Sequence, residues 1–299
     1  MKHRHLIGHL ACFGAYAIFG LNIIFCKDIA NGGELSPTVL FTFRAFCAAA
    51  LFWLLSLFVK HEQVPWQDLL GMLGASVLGL ILPQMTFLYA IAMTAPIDLS
   101  VVNSITPIMT MFVAAIFLKE PITWKKAGGV ALSFVGVVWL ILQSTHTGGV
   151  EHSSPMGIAL VVLNALCFAL YLGICRPIIQ RYNVVTLMKW MFLFALVLIL
   201  PFSAKEVLTL DYAAVPSPIW WEVAYLVFFA TFVAYFLIPI GQQRIRPTLV
   251  SMYNYLQPII ASVVGVALGM DRLTWMKVLA AVLVFVGVAI VNRSRARQE

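Results

Sequence analysis

Ser100, Asn103 and Pro107 interrupt one apolar stretch, and Ser251, Asn254 and Pro258 interrupt another with the same spacing, 151 positions later. Residues three and four apart share a helix face, so each set forms a small polar face beside a proline. A proline inside a helix removes a backbone hydrogen bond and kinks the chain, freeing a carbonyl. In hydrocarbon that carbonyl is tolerated only against protein or a hydrated cavity. Amides, hydroxyls and freed carbonyls can hold a small molecule by hydrogen bonds. The competing reading is structural, because Asn and Ser also bond neighbouring helices across membrane interfaces.

Few other groups in the apolar stretches could orient a ligand. Tyr255 and Gln257 lie beside the second set, Tyr16 and Asn22 in the first stretch, Gln84 (just after Pro83) and Tyr89 in the third. Asn164 and Tyr171 lie in the sixth and Tyr235 in the eighth. The substrate-binding candidates are therefore Asn22, Gln84, Asn103, Tyr171, Tyr235, Asn254, Tyr255 and Gln257, with Pro107 and Pro258 as helix kinks. Arg44 and Lys189 are the basic groups furthest inside apolar stretches. Each lies close enough to a helix start to snorkel to the surface, and the functional alternative is a gate or an anion-attracting group. Asp98, in a first turn after Pro96, is read as the one intramembrane acid and the one candidate for proton coupling; facilitated diffusion or exchange stands beside it. Cys12, Cys26, Cys47, Cys167 and Cys175 show no paired spacing, so neither a disulfide framework nor a metal site is expected. No cofactor is expected.

The elements that hold these residues must be helices in lipid. Hydrophobic residues make up 62% of the chain and charged residues 10%, against roughly 45–50% and about 25% in soluble proteins. A soluble enzyme and a disordered chain are excluded on that ground. The formal charge of +7 is spread between apolar runs, so nucleic acid is not an expected partner. Runs of about 20 apolar residues cross a bilayer. Ten fit: 6–27, 37–59, 66–93, 96–118, 123–143, 155–180, 184–204, 219–243, 247–269 and 274–291. The first is read as a retained helix and not a signal peptide, because it is too long and contains Lys27. Lys60, Lys125, Lys126, Arg181, Arg244 and Arg246 would fall on one side and Lys27, Lys205 and Arg272 on the other. The basic excess marks the cytoplasmic side, so both termini are expected there.

The polar sets belong to a longer repeat. At the same offset Thr123 meets Thr274, Trp124 meets Trp275, Lys126 meets Lys277, Gly136 meets Gly287 and Glu120 meets Asp271. Slightly smaller offsets align Lys27 with Arg176 and Arg44 with Lys189. Rare residue types agreeing in one register mean duplication. The fold class expected is all-α and integral to the membrane, with ten transmembrane helices as two inverted five-helix repeats over residues 1–143 and 155–293 and a basic tail over 294–299. Five spans per copy is odd, so the second copy enters from the opposite side. Inverted repeats are the usual architecture of secondary transporters, with the substrate near mid-membrane where the halves meet.

The run TPIMTMFVAAIFLKEPITWKKAGGVALSFVGVV and its second copy, QPIIASVVGVALGMDRLTWMKVLAAVLVFVGVA, resemble the end of the EamA-type repeat of the drug/metabolite transporter superfamily. FTFRAFCAAALF and FLYAIAMT resemble that repeat's second and third helices. The second copy departs from the common pattern where Asp271 replaces Glu and Arg272 follows. The resemblance implies ten helices around a cavity built from the first, third, fourth, sixth, eighth and ninth, in a bacterial inner membrane, and frequent use as an exporter. It implies amino acids or related metabolites as substrate, with drugs, nucleobases and sugars as alternatives carried by the same fold. The expected partners are a small-molecule substrate, the lipid bilayer and, optionally, a second copy in a homodimer. An intramembrane enzyme would need a nucleophile with its base, paired carboxylates or a metal motif, and the sequence offers none of these. A non-transporting scaffold or sensor is the remaining rival.

Overall fold

The computed structural model describes residues 2–33, 35–94, 99, 102–143, 154–267 and 274–294, and no strand occurs among them. The helices are α1 (Lys2–Gly32), α2 (Pro37–Ser56), α3 (Trp66–Met93), α4 (Thr106–Phe117), α5 (Trp124–Gln143), α6 (Pro155–Ile174), a short α7 (Arg176–Arg181), α8 (Val184–Thr209), α9 (Ser217–Gln242), α10 (Pro247–Met252), α11 (Leu256–Ala267) and α12 (Trp275–Asn292). Among the described residues, α1, α2, α3, α6, α8 and α9 are long and apolar enough to cross a membrane. Local chemistry sets several starts. Ser36 and Ser154 cap α2 and α6 by accepting from Val39 and Gly157 N–H groups, each with a proline in the first turn, where its missing N–H costs nothing.

Three expected spans are broken. The sixth divides at Cys175, two residues before Pro177. The fourth turns at Ser104–Ile105 before α4, and the ninth passes through a 3₁₀ turn at Tyr253–Tyr255 between α10 and α11. Pro107 and Pro258 follow those breaks. Each ring collides with the carbonyl four residues earlier, so the regular ladder ends ahead of the proline and restarts around it. α1 and α8 also overrun the ends expected for the first and seventh spans, to Gly32 and Thr209.

Two long helices carry π turns, Val77–Ile81 in α3 and Phe228–Val233 in α9. Their starts lie 151 positions apart, the offset of the sequence repeat. Packing follows the same symmetry. α2 packs on α8, α5 on α12, α3 on α6, α9 on α1, α4 on α6 and α11 on α1. Exchanging the two halves turns this set of pairings into itself. At the α5–α12 crossing the Ser133 hydroxyl donates to the Val284 carbonyl at 3.0 Å, and these two positions are repeat equivalents. There Gly129 and Gly287 let the backbones touch: a Cβ on Gly129 would lie 2.7 Å from the Gly287 oxygen. At one end of the bundle Glu120 accepts from Lys126 at 2.8 Å and from Arg176 at 3.1 Å. That ion cluster ties the start of α5 to α7.

Candidate functional site

The breaks before the prolines build a polar centre. Pro107 has no N–H to offer the Asn103 carbonyl four residues earlier. That oxygen accepts instead from the Thr106 hydroxyl at 2.7 Å and from the Asn254 side-chain amide at 3.5 Å. Gln257 donates to the Asn254 side-chain oxygen. A hydrogen-bonded chain therefore runs from Gln257 through Asn254 to Asn103 and Thr106, and it joins equivalent positions of the two halves.

These four residues form one wall of a cavity of about 90 Å³. A water needs about 10–15 Å³ of such space, so the cavity has room for several waters or one compact organic molecule. Asn22 and Tyr16 of α1, Arg44 of α2, Gln84 of α3, Asn164 of α6 and Tyr235 of α9 reach it, and Phe19, Phe87 and Phe168 supply ring faces. Gln84 is 5% exposed, and neither its amide oxygen nor its nitrogen makes a well-formed hydrogen bond, although the Tyr235 hydroxyl lies beside it. The buried Tyr16 hydroxyl is likewise unpaired. Buried polar atoms are nearly always satisfied, so unpaired groups on a cavity wall are offered to whatever fills it. Asn164 is different: its amide donates to the Pro83 carbonyl, which pins α6 to α3. Asn22 accepts from the Cys26 thiol at 3.6 Å.

Arg44 is 3% exposed. It does not snorkel outward. Its Nε donates to the Thr231 hydroxyl at 2.7 Å, and Thr231 donates to the Leu226 carbonyl at 2.7 Å. The π turn of α9 is what leaves that carbonyl available five residues back. Insertion of an arginine at mid-bilayer costs about 2.5–3.5 kcal/mol on insertion scales, and one hydroxyl is a modest return. Lys189, also buried, places its ammonium 4.9 Å from the centre of the Trp53 ring, a cation–π contact.

Other sequence candidates lie elsewhere. Tyr171 is buried with its ring over Gly79 in the π turn of α3 and does not line the cavity. Tyr255 and Pro258 border a separate void of about 10 Å³, and Pro107 shapes the wall without lining it. Ser251 donates to the Thr248 carbonyl at 2.9 Å, which uses its proton within the helix. Asp98 and Ser100 lie outside the described residues. Glu222, within α9, was passed over as an intramembrane acid; its Oε2 is buried with no partner. Sequence reasoning also passed over Thr106, Phe19, Phe87 and Phe168. A hydroxyl immediately before a proline in an apolar run was a usable signal for Thr106. Phe19 and Phe168 are repeat equivalents 149 positions apart, which was a usable signal for them; nothing distinguishes Phe87 among 21 phenylalanines.

A second hollow, of about 370 Å³, lies between the start of α3 and α7 beside Gly71, Gly74 and Ile178. Its charged groups, Asp68 and Arg181, satisfy each other at 2.8 Å. It is larger than the central cavity but offers no convergent free polar groups.

A helical bundle of lipid-compatible rods, with a small cavity that carries polar groups where two repeated halves meet, belongs among multi-pass membrane proteins. The sequence matches the EamA-like transporter family over residues 6–142 and 155–293, and the chain belongs to that family. It is similar to an "Uncharacterized transporter" of Archaeoglobus fulgidus, 28% identical over 87% of this chain and 90% of that one. It is also similar to the "Uncharacterized transporter YyaM" of Bacillus subtilis, 23% identical over 86% of this chain and 84% of the other. The "Uncharacterized transporter YcxC" of the same organism is 25% identical over 96% and 93%. A solved crystal structure of another protein superposes with a TM-score of 0.74 at 17% identity, covering 97% of this chain and 96% of that one. That likeness concerns the fold alone. Family and relatives point to a transporter, not an enzyme.

Proposed function

We propose that the chain is a secondary transporter that exports compact organic metabolites, amino acids or related compounds, from a bacterial cell by alternating access. In this reading ten transmembrane helices form two inverted five-helix repeats in the inner membrane, with both termini cytoplasmic. The observation that carries it is the cavity at the Asn103–Asn254 contact, where equivalent positions of the two halves meet. Inverted copies can exchange conformations, which converts an opening on one face into an opening on the other. The exchange symmetry of helix pairing and the matched π turns support it.

A scaffold or sensor is the rival, and one observation favours it: Asn103, Asn254 and Gln257 satisfy one another, as interhelical glue would. Counterflow separates the two. Purified protein in liposomes preloaded with unlabelled amino acids should drive transient accumulation of the labelled compound, saturably. A scaffold gives no counterflow for any member of an amino-acid, nucleobase, sugar and drug panel, and that result would end the carrier reading.

A further inference from the structure

The central cavity has an electrostatic asymmetry. Among the described residues, Arg44 is the one ionised side chain on its wall, and no aspartate or glutamate of that set lines it. Arginine stays charged in proteins and has five N–H donors. One, on Nε, goes to Thr231. The terminal nitrogens have no hydrogen-bond partner among the described residues. Arg44 lines the same cavity as Gln84, whose amide makes no well-formed hydrogen bond of its own. A buried cation with an unused planar fork is the complement of a carboxylate, which it can take through two parallel hydrogen bonds.

We propose that the cavity takes a compact organic carboxylate, with Arg44 as its anchor. The proposal rests on the carrier reading for its role in transport, but not for the binding itself. The carboxylate supplies the counter-charge that the wall lacks, and Gln84 and Tyr16 bond polar substituents next to it. Phe19, Phe87 and Phe168 cover the apolar body of the ligand. A uniformly polar ligand would leave those rings unmatched, and a simple amine would meet Arg44 with like charge. Thr231 is a positioning residue in this scheme, acting on the ligand only through the guanidinium.

The test uses full-length purified protein and matched probes: phenylalanine, phenylpyruvate and phenylacetate beside phenylacetamide and phenethylamine. Binding read by thermal shift and titration calorimetry should favour the carboxylates over the amide and the amine by about 10- to 100-fold, the range of a charge-assisted pair. Arg44→Gln should abolish that preference, and Arg44→Lys should reduce it, since lysine lacks the planar fork. Ligand-free Arg44→Gln should melt no lower than the parent protein, because the buried charge is offset by no carboxylate. A marked drop in its melting temperature, with carboxylate preference unchanged in Arg44→Lys, makes Arg44 a structural pin and overturns the proposal. So does the absence of any carboxylate preference in the parent protein. Vesicle flux distinguishes the two levels. Carboxylate-selective binding without counterflow upholds the anchor and removes the carrier reading, whereas saturable flux of phenethylamine matching that of phenylalanine does the reverse.

Discussion

At the scale of single residues, the centre depends on one missing proton. Pro107 cannot bond the Asn103 carbonyl, and the oxygen so released is what Thr106 and Asn254 share. If this chain of amides serves transport, Asn103→Ala and Asn254→Ala should lower flux several-fold while lowering abundance much less. Interhelical hydrogen bonds in membranes average only about 0.6 kcal/mol, so loss of either amide leaves the bundle folded. Counterflow normalised to folded protein by gel filtration measures this, and an unchanged double variant would remove both residues from the site. The repeated pattern of asparagine, three residues and proline made this centre legible in the sequence. The orientation of Arg44 was not legible, because a residue this close to a helix start can turn either way. The Thr231 hydroxyl that decides it lies 187 positions along the chain.

At the scale of helices, the π turns matter more than propensity. Each inserts a residue into a long helix, shifting every side chain beyond it around the axis. In α3 the turn presents Gly79 to the Tyr171 ring, and a Cβ there would lie 2.5 Å from the ring. Gly79→Ala should therefore destabilise the α3–α6 contact by about 1–3 kcal/mol, the usual cost of overpacking. A lower melting temperature in detergent would record it, and the added loss from Gly79→Ala should shrink when measured in a Tyr171→Ala background, whose own cavity lowers stability. Gly74, in the same helix, faces open space, so Gly74→Ala serves as the control with no expected loss. Tyr171, a ligand candidate by sequence, is explained by this packing. Its depth in an apolar span was readable; its partner was not, because hydrophobic patterning carries no sign of a π turn.

At the scale of the whole molecule, the symmetry of the pairings makes a topological demand. Lys60 follows α2 and Lys205 lies near the end of α8, the helix that corresponds to α2 in the second half. The proposed inversion of the two copies would place them on opposite faces of the membrane. Variants Lys60→Cys and Lys205→Cys, in a background that lacks the partly exposed Cys47 and keeps the four buried cysteines, should differ in intact cells. A membrane-impermeant maleimide should label the second and reach the first only after permeabilisation. Labelling of both from one side would leave alternating access without its structural basis.

What the sequence by itself determined is the solvent, the class of element and the duplication. These follow from composition and from rare residues recurring in register, and both are properties of the linear chain. The tertiary structure alone decided which polar groups converge, which are consumed locally and which remain open. Ser251 and Asn164 spend their hydrogen bonds on nearby or packing carbonyls, whereas Gln84 and the terminal nitrogens of Arg44, both on the cavity lining, make no well-formed ones among the described residues. The physical reason is that hydrogen-bond satisfaction depends on what neighbouring helices bring within about 3 Å. Residues that do so here are separated by as many as 187 positions, more than half the chain.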